Sequence, residues 1–192
     1  SVDTSRIYVL GHSLGGMLAP KIAQDNPAVA GLVIMAGSPR RLEDIVFDQN
    51  KMLLDQTQQS QSQKDRTLRE IEAEVQKIKE LKKGASADMI FNMPAAYWLS
   101  LNEIDTESIA KSLSIPILIQ QGSADFQVYA DKDYPLWQQV LAGKDNVQFR
   151  LYDGLNHLFM PNNGKQDTTE YDIKGHVEQK VIDDIAAFIR QH

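Results

Sequence analysis

Residues 6–23 read RIYVLGHSLGGMLAPKIA. Ile7-Tyr8-Val9-Leu10 is a short, β-prone apolar run closed by glycine, which predicts a buried strand. Met17, Leu18, Ile22 and Ala23 follow at helical spacing, and Asn26-Pro27 ends that helix. Between them lies Gly11-His12-Ser13-Leu14-Gly15. A chain that passes straight from strand to helix must turn within very few residues. The residue at the middle of the turn is strained, and its side chain projects clear of the sheet edge. Neighbours two positions to either side are expected to come so close that a Cβ would clash, a demand that Gly11 and Gly15 meet and that Gly16 eases further. The expected product is an exposed hydroxyl at Ser13 beside a helix N-terminus, with the Leu14 N–H aimed at the same point.

Outward from this turn the chain alternates strands with helices. AGLVIMAG, residues 30–37, is apolar at nearly every position, so both faces of that strand are covered and a parallel sheet is expected. The pattern resumes at IPILIQQG (115–122), a helix around Leu136–Leu141, and NVQFRLY (146–152), where Val147, Phe149 and Leu151 alternate with polar neighbours. An amphipathic helix carrying Val177, Val181, Ile185, Phe188 and Ile189 closes the chain. The class is α/β. Residues 41–112 differ. They are rich in Gln, Lys and Glu, and Leu68, Ile71, Val75, Ile78 and Leu81 form a stripe at spacings of three and four that Gly84 would stop. The stripe is too short for a coiled coil. It reads as a helical excursion between two halves of a sheet domain, 1–40 and 113–192.

The bulk properties agree with a globular domain: of 192 residues, 42% are apolar and 24% charged. A net charge of −6 with no basic stripe is against a nucleic-acid partner. The absence of cysteine excludes disulfides, thiolate zinc sites and a cysteine nucleophile. The apolar runs are too short to cross a bilayer, so no membrane partner is expected. No signal peptide is visible, and the compartment stays open.

A serine hydroxyl is a poor nucleophile unless a general base takes its proton and a carboxylate orients that base. The four histidines are His12, His157, His176 and His192. His12 lies inside the turn, where its ring should point away from Ser13, and His192 is terminal. His157, in YDGLNHLF directly after the strand at 146–152, sits where parallel sheets place their chemistry; His176 is the second candidate. For the acid, Asp125 in QQGSADFQV lies in the loop after the strand at 116–120 and so is expected to share a sheet edge with Ser13 and His157. Asp153 is the rival, although Asp153-Gly154 is a common turn pair.

GHSLGG, IPILIQQGSADFQV and YDGLNHLF together resemble the three catalytic segments of bacterial α/β-hydrolase esterases, over nearly all of the chain outside the excursion. MAGSPRRLEDIV and PAAYWLSL are similar to further stretches of that group. The resemblance implies Ser13 as nucleophile, Asp125 as acid, His157 as base and Leu14 as an oxyanion donor. It implies hydrolysis of small to medium carboxylic esters with no metal or organic cofactor. Residues 41–112 fall where the family inserts a helical cap, and Tyr97 and Trp98 would either line the pocket or pack in the core of the cap.

The family's nucleophile follows its fifth strand, whereas here it is residue 13. The chain is therefore expected to be the C-terminal part of the fold, with the first four strands and the loop that gives the second oxyanion donor upstream. Such a piece is expected to be weakly active or inactive alone, since one lost donor costs about 10²–10³ in rate. The strand at 7–10 is expected to pair with a second copy of the chain or to be covered in another way. The same residues would also serve a thioesterase, peptidase or acyltransferase. A different reading is a non-catalytic, self-associating fragment that uses the Leu68–Leu81 stripe as its contact surface.

Overall fold

The computed structural model describes residues 3–82, 84 and 88–192. In order the chain forms β1 (Ile7–His12), α1 (Leu14–Asp25), β2 (Val29–Met35), α2 (Leu42–Asp55), α3 (Gln61–Lys79), a hairpin of β3 (Met89–Ile90) and β4 (Met93–Pro94), α4 (Ala95–Asn102), α5 (Thr106–Ser112), β5 (Ile117–Gly122), α6 (Asp133–Val140), β6 (Val147–Tyr152), a 3₁₀ turn (Thr168–Asp172) and α7 (Gln179–Gln191). It divides into two compact units, Ser1–Pro39 with Thr106–His192, and Arg40–Asp105.

The larger unit holds a four-stranded sheet in the order β1-β2-β5-β6, every pair parallel. Successive residues of a strand point to opposite faces, and both faces here are apolar. Leu32, Ile34, Ile117 and Ile119 pack on one side with Ala19 and Ala23 of α1, Ala110 of α5 and Trp137 of α6. Val33, Met35, Leu118 and Tyr152 pack on the other with Val181 and Phe188 of α7. That two-sided burial is why β2 and β5 read as continuous apolar runs. One polar link crosses the second layer: the Tyr152 hydroxyl accepts from Gln120 Nε2 at 2.7 Å and donates to Asp184 Oδ2 at 2.8 Å, tying α7 to the sheet. Burial, together with the Asp184 carboxylate, pushes this phenol well above its usual range.

Several expectations meet a different outcome. α5 belongs to the sheet unit rather than to the excursion, because Ala110 is fully buried in the sheet's core and Thr106 Oγ1 donates to the Met17 carbonyl of α1. Val177 precedes α7 and is 38% exposed, and Leu151 at the outer edge of β6 is 50% exposed. β1 is an edge strand whose Val9 and Tyr8 pack into the two core layers, while Ile7 and Leu10 are exposed. Among the described residues no helix is long and apolar enough to cross a membrane.

The smaller unit is built on its own core of Ile78, Ile90, Ala95 and Trp98. α3 starts at a capping box, in which the Ser60 hydroxyl accepts from the Gln63 N–H and Gln63 reaches back to the Ser60 N–H. The β3–β4 turn places Phe91 and Asn92 at φ 48° and 59°, the left-handed pair that a two-residue hairpin requires. α3 packs against α2, and the Val75 and Ile78 side chains of its stripe are buried within the chain. Leu68, Ile71 and Leu81 of the same stripe are only half-buried. Leu81 lies beyond the helix, which ends at Lys79, five residues before Gly84 would have been needed as a stop.

Candidate active site

In a parallel sheet all strands end at the same edge, and loops from that edge carry the chemistry. β1 delivers Ser13 there at φ 56°, ψ −121°. Left-handed φ is costly for a side-chain-bearing residue. The turn is held by the Ser13 N–H donating to the Met35 carbonyl at 2.9 Å and by the Met17 N–H donating to the Ser13 carbonyl at 3.0 Å. A Cβ on Gly11 would lie 2.2 Å from the Gly15 carbonyl oxygen, so no larger residue fits at position 11. Gly15 departs from expectation, because a Cβ there would meet nothing within 4 Å. On the helix side the close approach falls at Gly16 instead, where a Cβ would stand 3.0 Å from Gly37 Cα and 3.1 Å from the Gly11 carbonyl oxygen. Leu14 opens α1, and first-turn amides have no partner within their own helix.

Asp125 lies in the loop after β5 and is 6% exposed. Its Oδ1 accepts from the N–H groups of Gln127 (2.8 Å) and Val128 (3.0 Å). Its Oδ2 accepts from Gln121 Nε2 (2.9 Å) and from Nδ1 of His157 (2.8 Å). Four donors thus fix the carboxylate in one orientation. A carboxylate only accepts, so the His157 proton sits on Nδ1 and Nε2 is left as the basic nitrogen. The His157 ring is buried, and its backbone is shaped by Asn156, whose Oδ1 accepts from the N–H groups of Leu158 (2.9 Å) and Met160 (3.1 Å).

β6 lies three strand spacings from β1, about 14 Å, so the His157 loop has to fold back across the sheet edge to approach the serine. It does so over β5, where the Ser123 N–H donates to the Tyr152 carbonyl and the Ala124 N–H to the Leu155 carbonyl. At the far side His12 Nε2 lies 2.8 Å from the His157 carbonyl oxygen, and the two imidazole rings are 4.7 Å apart between centroids. The turn that carries Ser13 is thereby seated against the loop that carries His157.

The structure therefore brings Asp125 and His157 into direct contact and joins Ser13 to them through its neighbour His12. The rivals lie elsewhere. Asp153 is exposed and accepts from Ser123 Oγ at 3.1 Å in the turn with Gly154. His176 is exposed ahead of α7, and His192 stacks near Phe188. Trp98 is fully buried in the core of the smaller unit, where its Nε1 donates to the Ile90 carbonyl at 2.9 Å. Of the two readings of the aromatic pair, core packing describes Trp98. Tyr97 is 36% exposed.

Two contributors escaped the sequence reading. Gln121 left a signal, since an amide inside an otherwise apolar buried strand must have partners; it is 2% exposed and donates to Asp125. His12 left none, because its contact is made across 145 positions of chain.

Residues 2–163 match the family described as Hydrolase_4, serine aminopeptidase S33. The chain is 42% identical over 187 residues to Esterase EstD of Thermotoga maritima; the match takes in 97% of this chain and 43% of that protein. The chain thus spans less than half the length of this relative. An esterase of Pyrococcus furiosus superposes with a TM-score of 0.54 at 11% identity, covering 97% of this chain and 54% of that one. A monoacylglycerol lipase of Paleococcus ferrophilus superposes with a TM-score of 0.51 at 12% identity, covering 94% and 68%. At these identities the structural likeness is one of fold.

Proposed function

The chain belongs to the serine aminopeptidase S33 family of α/β-hydrolases, and from that premise we propose that it carries the nucleophile, base and acid of a serine carboxylesterase. The observation that carries this reading is the 2.8 Å bond between His157 Nδ1 and Asp125 Oδ2, on a loop seated against the left-handed turn of Ser13. The name of the Thermotoga relative favours an ester over a peptide substrate.

His157 Nε2 takes the Ser13 proton as Oγ attacks the ester carbonyl, and Asp125 stabilises the imidazolium that forms. The Leu14 N–H is one donor to the tetrahedral oxyanion. The imidazolium returns its proton to the departing alcohol. Water, activated by the same imidazole, then hydrolyses the acyl-enzyme. Substrates are small to medium esters, and Tyr97 is the member of the aromatic pair with ring surface open to a ligand.

The test is Ser13→Ala in the full-length native protein, assayed on p-nitrophenyl esters. Loss of turnover to the buffer rate is expected, and retained turnover rules the mechanism out. A parallel panel of thioester and peptide substrates separates an esterase from other acyl hydrolases with the same three residues.

A further inference from the structure

The His12 imidazole is in no step of the proposed reaction, yet it bridges its two halves. It is contiguous with Ser13, and its Nε2 meets the His157 main chain at 2.8 Å. We propose that His12 is a positioning residue, whose Nε2–H donor to the His157 carbonyl sets the approach of the catalytic imidazole to the Ser13 hydroxyl. The proposal rests on the assignment of Ser13 and His157 above.

Three observations support it. First, the path of the loop: from β6 the chain crosses the end of β5 and arrives unsupported by any strand ladder, since β6 has no pairing with β1. Asn156 shapes the loop from within, and Phe159 takes a left-handed φ of 58°. The hydrogen bond from His12 ties the loop to the serine turn. Second, the acceptor is a carbonyl, which cannot donate, so Nε2 carries the proton and the bond has one sense. Third, the ring is confined. It stands 4.7 Å from the His157 ring and 6.4 Å from Phe159. Burial also holds its pKa below the usual value, with the neighbouring His157 adding to this and the His157 carbonyl and Asp125 opposing it. A neutral His12 gives its one N–H to the loop and places no fixed charge beside an imidazolium forming at His157.

A reacting pair displaced by about 1 Å loses about 10²-fold in rate, so the expected phenotype is in kcat. The experiment compares His12→Leu, which keeps bulk without a donor, with His12→Gln, whose amide can place an N–H near the same point. Both are made in the full-length native protein and assayed on p-nitrophenyl butyrate, with thermal unfolding measured alongside. Expected is a fall in kcat of about 10- to 100-fold for Leu with KM little changed, and recovery of most of that loss by Gln. Wild-type kcat in the Leu variant overturns the proposal, as do equal losses in Leu and Gln. If the Leu variant does not fold, Gln is compared with His12→Asn, whose amide stops short of the carbonyl; equal kcat in these two overturns the proposal. An inactive wild type, or Ser13→Ala that still turns over, marks instead the failure of the underlying assignment, and the role of His12 falls with it.

Discussion

A Cβ placed on Gly122 would stand 2.3 Å from the carbonyl oxygen of Leu155 and 2.8 Å from that of Asn156. The loop that carries His157 therefore rides directly on the bare end of β5, and its route to the serine depends on a missing side chain. Gly122→Ala forces that loop to move, because the obstacles are backbone atoms. We expect a stability loss of about 1–3 kcal/mol, typical of an overpacked site, and a fall in ester turnover larger than the stability loss explains at 25 °C. Urea unfolding and kcat measured on one preparation check this; an unchanged kcat would show that the loop has slack.

Asp125→Asn puts an amide among four donors. One amide hydrogen must then face a donor, or His157 must change tautomer and lose its free Nε2. A fall in kcat on the order of 10⁴ is expected from the wrong tautomer alone. Gln121→Leu is milder, as it removes one donor and leaves three. A cost of about 1–3 kcal/mol, for one broken bond to a buried charged group, translates into roughly 10- to 100-fold in kcat/KM. Steady-state kinetics of the two variants give the order; equal losses would show that Gln121 holds the carboxylate as firmly as its own charge does.

His12 also makes a statement about pH. Its pKa is lowered from 6.5 in the folded protein, chiefly by burial, so the unfolded chain binds that proton more readily. The stability linked to this group is complete above about pH 6.5 and declines as the pH falls from there towards the lowered folded value. Denaturant midpoints from pH 8 to pH 5 should fall less steeply in His12→Gln than in the wild type. Parallel curves would mean that the ring is not desolvated.

The aromatic pair of α4 separates by burial. Trp98→Ala empties a fully buried site and loses the bond to Ile90, which should cost about 3–5 kcal/mol. Tyr97→Ala should cost under about 1 kcal/mol and shift KM among esters of different chain length. A Trp98→Ala variant of normal stability with altered ester preference would reverse these roles.

The apolar runs, their length and the Gly-His-Ser-Leu-Gly turn were enough to read an α/β chain with a parallel sheet, and to nominate Ser13, Asp125 and His157 as candidates from their place after β1, β5 and β6. They suffice because burial on both faces writes itself into composition, and because a tight strand-to-helix turn admits few residue types. The chain could not show which residues tie those strand ends together. That Gly122 clears a path for the His157 loop and that His12 catches the His157 main chain are contacts between positions distant in sequence. They leave no period or spacing to read, so only the folded arrangement of the four strands decides them.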